Sequence, residues 1–226
     1  MRQKEEWQHI CLFDNRQHLS TLGIYLITLY FICLDYRVQN VTSELSYPSL
    51  NLNIKAITVN NWIIIQQRVN SSLSFDLPWA DYKNGFGVLG GNYWMGNEMM
   101  YLLTNSGNYK LRIEMRSKSV GWVSAEYSYF SLENETNWYR LHLWGFSGDC
   151  SGDSMQYTGN NNQYIQNGMY FTTSYSDHDT SPYNCALMRG AGWWYASCNW
   201  ANLNALYNSS FTWWSLYPDS AKLFGQ

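Results

Sequence analysis

The sequence predicts an α+β fold: an antiparallel sheet with short helices, followed by a loop-rich C-terminal third. Three observations carry that reading. Tyr109-Lys-Leu-Arg-Ile-Glu-Met115, Ala125-Glu-Tyr-Ser-Tyr-Phe130 and Trp138-Tyr-Arg-Leu-His-Leu-Trp144 alternate apolar and polar residues, as half-buried strands do. Asn97-Glu-Met-Met-Tyr-Leu-Leu-Thr104 instead has helical apolar spacing. After Gly145 both patterns give way to loop rich in Gly, Ser, Asp and Asn. No internal repeat or clean linker divides the chain. One domain is therefore expected over residues 11–226, with its loop-rich subregion at 145–226.

The elements follow in order. Residues 1–10 are polar and are expected to form a flexible end or a short helix. Residues 22–34 form the longest apolar run. It falls short of the ~20 residues that span a bilayer. The segment before it is long and mixed in charge, and no small-residue cleavage site follows, so a signal peptide is not visible. Its β-branched and aromatic content favours a buried strand. Residues 35–60 have weak periodicity and are not placed. Ile63-Ile-Ile-Gln-Gln-Arg68 reads as a strand, and Asn84-Gly85 after Pro78 as a turn. Gly96-Asn97 would start the helix, and Asn105-Ser-Gly-Asn108 would turn the chain into the alternating strands.

Composition narrows the function classes. With 12 Trp, 19 Tyr and 9 Phe but only 14% charged residues, the chain buries rings and meets polar needs with Asn, Ser, Thr and Gly. A net charge of -3 gives no electrostatic case for nucleic acid or for an anionic membrane. Membrane insertion is not expected. The five cysteines are Cys11, Cys33, Cys150, Cys185 and Cys198; no CxxC pair occurs, which argues against a zinc knuckle or thioredoxin motif. Sequons at Asn40, Asn70, Asn134 and Asn208 agree with a secreted glycoprotein.

Asp177-His-Asp-Thr-Ser-Pro-Tyr-Asn-Cys185 carries the most chemistry. Carboxylates two apart can address one hard cation while the backbone adds carbonyls. An EF-hand is excluded, because its glycine and glutamate positions hold Pro182 and Met188. Cys185 and Cys198 either close a loop, contributing roughly 3 kcal/mol in the chain-entropy view, or stay as two reduced buried thiols. Trp193-Trp-Tyr195 between them is core filler or ligand wall. Gly145-Phe-Ser-Gly-Asp-Cys-Ser-Gly-Asp153 lacks the lysine of a phosphate-binding loop. The histidines (His9, His18, His142 and His178) have no nucleophile partner suggested by sequence. No nucleophile elbow, HExxH or paired acid/base signature occurs, so nothing argues for an enzyme.

Taken together, these segments resemble the fibrinogen C-terminal globular domain. Asn61-Trp-Ile-Ile-Ile-Gln-Gln-Arg68 is similar to the family's GGWTVIQRR. Trp79-Ala-Asp-Tyr-Lys-Asn-Gly-Phe-Gly87 matches WxDYKxGFG, and Tyr93-Trp-Met-Gly-Asn-Glu98 with Leu102-Leu-Thr104 matches FWLGNE…LLT. Asn167-Gly-Met-Tyr-Phe-Thr-Thr173, Asn184-Cys-Ala186, Gly192-Trp-Trp-Tyr195, Cys198 and Asn202-Leu-Asn204 complete the series.

The resemblance implies a secreted recognition domain with bound calcium. Asp177 and Asp179 would supply side-chain ligands, and Ser181 and Tyr183 backbone carbonyls. Cys185 and Cys198 would pair, with a cis Ser197-Cys198 bond. The implied pocket is Arg189, Trp194, Tyr195, Cys198 and Asn199. The departures bear on specificity. Asn199 stands where the family usually has histidine, and Arg189 where acetyl-binding members have tyrosine and the fibrin knob-binding member has aspartate. Ala205 ends the NLNG motif, and Tyr175 replaces an acidic residue near the metal loop. Past Ala205 the chain is shorter than the family pattern and lacks its MKIRP strand; residues 28–60 are divergent. The expected function is lectin-like binding of acetylated glycans, in innate-immune pattern recognition. The alternatives are a ligand or matrix module engaging a cell-surface protein, and a degenerate domain without ligand. A homo-oligomer is a further expected partner class, although no coiled coil or collagen stalk occurs in the sequence.

Overall fold

The computed structural model describes residues 8–14, 41–47, 52–59, 62–117, 121–156, 162–207 and 211–216. The strand expected within 22–34, the sequons at Asn40 and Asn208, and Cys33 lie outside the described residues.

Strands β1 (Gln8–Asp14), β2 (Val41–Tyr47), β3 (Leu52–Val59) and β4 (Trp62–Arg68) come first. Helix α1 (Trp79–Asn84), strands β5 (Phe86–Gly87) and β6 (Tyr93–Trp94) and helix α2 (Asn97–Asn105) follow. Then come β7 (Tyr109–Ser117), β8 (Gly121–Leu132) and β9 (Leu141–Gly148). The main sheet runs β2-β3-β4-β1-β7-β8-β9, with β5 and β6 joined beside β4. The paired strands are antiparallel, as expected from their alternation.

Residues 8–10 are a correction. Expected as part of a flexible end, they open β1, which lies in the middle of the sheet between β4 and β7. Ile10 and Leu12 are buried there. Two apolar residues in alternation are too weak a local signal; the pairing with distant strands decides the conformation. The unplaced stretch 35–60 similarly contains the β2–β3 hairpin.

Two boundaries moved for local reasons. Asn84-Gly85 is the end of α1 rather than a free turn: Gly85 has φ 90°, and its N–H donates to Asp81 O at 2.8 Å. A Cβ there would lie 2.6 Å from Met95 O, so only glycine fits. The strand expected from Trp138 begins at Leu141, because Trp138 and Tyr139 adopt φ 47° and 49° and break the extended run.

The sheet and the C-terminal subregion share one core. Tyr82 of α1, Trp94 of β6, Phe171 of β10 (Phe171–Thr172) and Trp194 of β11 (Trp193–Trp194) form an aromatic cluster with centroids 5.0–6.1 Å apart. Such rings supply large apolar burial with defined edge-to-face geometry. The remaining α-helix and strands are α3 (Cys185–Arg189), β12 (Ala201–Asn202) and β13 (Thr212–Trp213).

Candidate functional site

The acidic loop is built by short side-chain to main-chain bonds. Thr173 and Ser176 bridge a turn, and Thr172 Oγ1 accepts from His178 N at 3.0 Å. Asp177 Oδ1 accepts from Asp179 N at 3.2 Å. Asp179 spreads over both its oxygens, accepting from Ser181 N and from Cys185 N, each at 2.8 Å. Ser181 Oγ accepts from Tyr183 N at 3.2 Å. This i to i+2 series is what Asp and Ser do in turns. Asn184 then caps α3: its Oδ1 accepts from Leu187 N at 2.8 Å, and its amide reaches back to Thr173 O at 3.3 Å.

Cys185 and Cys198 form a disulfide, S–S 2.06 Å. Of the two alternatives left by the spacing, the bridge is the one realised. The Ser197-Cys198 peptide bond is cis. Cys150 keeps a buried thiol, pushed up to about 11 by burial. The sequons at Asn70 and Asn134 both sit at the surface.

The loop's electrostatics suit a cation. Burial pushes the Asp179 carboxyl up to about 6, and the neighbouring Asp177 adds to the rise; the N–H groups of Cys185 and Ser181 oppose it. A partly buried carboxylate beside a second carboxylate is held away from its charged form, and a hard divalent ion would relieve that. No cluster of three or more His, Cys, Asp or Glu side chains capable of holding a metal occurs among the described residues. A cation here would therefore rest on Asp177 and Asp179 plus main-chain oxygens such as those of Ser181 and Tyr183, an all-oxygen set that fits calcium rather than zinc. His178, between the two aspartates, stacks on Trp138 at 4.7 Å and meets Trp79 edge-on at 5.4 Å. Burial lowers its pKa.

The expected pocket is mostly internal. Trp194 and Tyr195 lie beside the disulfide loop, but they are buried and their polar atoms are committed inward. Trp194 Nε1 donates to Tyr139 O at 2.8 Å. Tyr195 OH donates to Ala191 O at 2.9 Å and accepts from Asn202 Nδ2 at 2.7 Å. They support the loop and do not line an open wall. Cys198 and Asn199 are also buried, and Asn199 Oδ1 has no partner among the described residues. Arg189 lies in the last turn of α3 and is only partly buried.

What the face presents instead is apolar. Tyr175, Tyr183, Leu187, Met188 and Leu206 are each more than half exposed. They lie on adjoining segments: Asn184 ties α3 to the turn at Thr173, and Leu206 side-chain carbons stand next to Gly190 at the C-terminal end of α3. Sequence reasoning missed this set. The available signal was the order of α3 itself: once Cys185 and Ala186 point inward, Leu187 and Met188 turn outward.

The loop is anchored to the sheet through a strap at 202–207. Gln66 Nε2 donates to Leu203 O at 2.9 Å, and Arg68 Nη1 to Asn204 O and Ala205 O at 2.6 and 3.0 Å. The Arg68 guanidinium also lies 3.8 Å above the Phe75 ring, and burial pushes it down to about 10. Asn204 Nδ2 passes the connection on to Gly192 O at 2.9 Å.

Comparison with known proteins agrees with this architecture. The profile described as "Fibrinogen beta and gamma chains, C-terminal globular domain" matches residues 37–215. Human angiopoietin-related protein 2 is 43% identical over 137 residues, covering 61% of this chain and 26% of that protein. Ryncolin-4 of Cerberus rynchops is 39% identical over 147 residues, covering 65% of this chain and 40% of its own. The solved fibrinogen-like globe domain of human ANGPTL2 superposes with a TM-score of 0.68 at 35% identity, covering 77% of this chain and 80% of that one. Lamprey fibrin D-dimer, complexed with the peptide Gly-His-Arg-Pro-amide, gives 0.63 at 30% identity over 70% and 54% of the two chains. The chain spans about a quarter of the length of the angiopoietin-type relatives it matches.

Proposed function

The chain belongs to the fibrinogen C-terminal globular domain family, and from that premise we propose that it is a secreted recognition domain, braced by calcium, that engages a cell-surface protein through the face carrying α3. The carrying observation is the exposed apolar set Tyr175, Tyr183, Leu187, Met188 and Leu206 around the acidic loop, where the expected sugar-pocket rings are buried. Exposed aromatic and aliphatic side chains next to a rigid loop suit a protein partner. A binding module, not an enzyme, is the reading of this family. The lamprey relative carrying a bound peptide gives the same class of ligand a precedent within the fold. Secretion agrees with the Cys185–Cys198 bridge.

Calcium would be held by Asp177, Asp179 and the carbonyls of Ser181 and Tyr183, and it would neutralise the two carboxylates. The chain itself does the rest. Asp179 pins the start of α3 through Cys185 N, Asn184 caps that helix, and the disulfide ties it to Cys198. The face is thereby fixed before a partner arrives, which lowers the ordering cost of binding.

A lectin for acetylated glycans is the second reading. It is favoured by Asn199, whose side-chain oxygen beside the bridge has no partner among the described residues. One experiment separates the two: capture of cell-surface proteins and retention on acetylated resin, each with calcium and with chelator, for the native chain and Met188→Asp. The expected result is calcium-dependent protein capture that Met188→Asp weakens at least ~10-fold with unchanged Tm. Calcium-dependent retention on the resin without protein capture would establish the glycan reading instead. Binding to neither leaves the domain without a ligand and sinks both.

A further inference from the structure

The fold sorts the methionines sharply by exposure. Met95, Met100, Met115 and Met155 are buried in the main core, none of them more than 6% exposed. Met99 and Met169 are half-buried and pack against the same core. Among the described methionines, only Met188 stands in solvent, at 57% exposure. A flexible, polarisable thioether suits an adaptable binding surface, and in the open it is also the sulfur that an oxidant meets first. Of the described cysteine side chains, Cys185 and Cys198 are already joined and Cys150 is buried.

The helix that carries Met188 is held at both ends without it. Asn184 Oδ1 caps the start through Leu187 N, and the disulfide ties Cys185 to Cys198. At the other end Gly190, with φ 66°, donates its N–H to Ala186 O at 2.8 Å. Met188 joins through its main chain, its N–H donating to Asn184 O at 3.2 Å. The thioether takes no part in any of these bonds. A chemical change at the sulfur therefore alters the surface of α3 and leaves its frame in place. Around it that surface is apolar: Tyr183, Leu187 and Leu206 are all more than half exposed.

We propose that Met188 is an oxidation switch on the α3 face, with a peroxide as the oxidant. The sulfur lone pair attacks one peroxide oxygen, an S–O bond forms and the O–O bond breaks. The departing oxygen leaves as water once it has taken up the proton of the transferred oxygen. Sulfur is oxidised by two electrons, and hydrogen peroxide is reduced to water. The product is a polar, chiral sulfoxide in the middle of an apolar patch. A partner that covers the patch would then have to bury that polar group without a matching donor. Methionine sulfoxide reductase removes the oxygen again, so the switch can be reset. The effect on binding rests on the α3 face being the binding face; the choice of Met188 rests on exposure alone.

The test treats the full, disulfide-intact chain with hydrogen peroxide in calcium. Three readouts follow it: peptide mapping by mass spectrometry, retention on a phenyl resin, and binding to intact cultured cells. Met188 sulfoxide should form at least ~10-fold faster than that of any other described methionine. The oxidised chain should leave the resin earlier, bind cells at least ~10-fold more weakly and keep its Tm. Incubation with the reductase should restore retention and binding. In Met188→Leu, each of these two readouts should be the same before and after peroxide. Four results overturn the proposal: a second described methionine oxidised as fast, retention unchanged once Met188 is fully oxidised, a loss that Met188→Leu shares, or a loss accompanied by a fall in Tm. If the untreated chain binds no cells, it is the protein-partner reading that fails. Mapping and retention then decide the switch, since neither needs a partner.

Discussion

Asp179 shows how one residue serves both the local fold and the proposed cation. Its two oxygens anchor Ser181 and Cys185, so it shapes the loop whether or not a metal is present. Burial and Asp177 raise its pKa from 3.8 to about 6. A carboxyl whose folded pKa is raised binds its proton more tightly folded than unfolded. In chelator, the stability it contributes is therefore full at low pH and is lost as pH rises from about 4 through 6. Calcium reverses the sense, since it needs the carboxylate: its affinity should fall as pH drops below about 6. Thermal unfolding across pH 4–7, with calcium and with chelator, checks both signs. Asp179→Asn should flatten both curves and abolish the calcium-induced rise in Tm. The DxD spacing was legible in the sequence; the burial that perturbs one aspartate was not, because it depends on Cys185 folding back over the loop.

At the scale of elements, α1 and the segment entering β11 are locked by one close approach. Gly192 N donates to Tyr82 OH at 3.0 Å, and Tyr82 OH donates onward to Phe75 O at 2.6 Å. A Cβ at Gly192 would lie 2.6–2.9 Å from the ring of Tyr82, which is fully buried and cannot swing away. Gly192→Ala should cost about 1–3 kcal/mol in chemical denaturation through overpacking. The fully helical, well-spaced α2 and the alternating β7 and β8 were readable from pattern alone. The short α1 was not, since six residues carry too little periodicity, and its Asn84-Gly85 end reads equally well as a turn. The start of β9 was misread at Trp138 because positive φ in a non-glycine pair leaves no sequence mark.

Over the whole molecule, the proposed calcium would bear unequally on the long-stranded sheet and the loop-rich C-terminal subregion. The strands β7, β8 and β9 close on one another through long ladders and a buried apolar face. The loop from Asp177 to Cys198 is held by side-chain bonds, one disulfide and the proposed ion. Hydrogen exchange should show the difference: chelator should lower protection across residues 177–199 and leave β7 to β9 unchanged. Equal loss in both regions would contradict a calcium role confined to the loop.

The sequence by itself determined the α+β class, the family and the acidic loop, because periodicity and motif order are local properties written along the chain; the spacing of Cys185 and Cys198 left their pairing open, and the resemblance only implied it. Only the tertiary structure decided that residues 8–14 occupy the centre of the sheet, that Trp194 and Tyr195 are buried supports, and that Leu187 and Met188 face solvent. Each of those depends on what packs against a side chain from tens of residues away, and burial of that kind has no local signature.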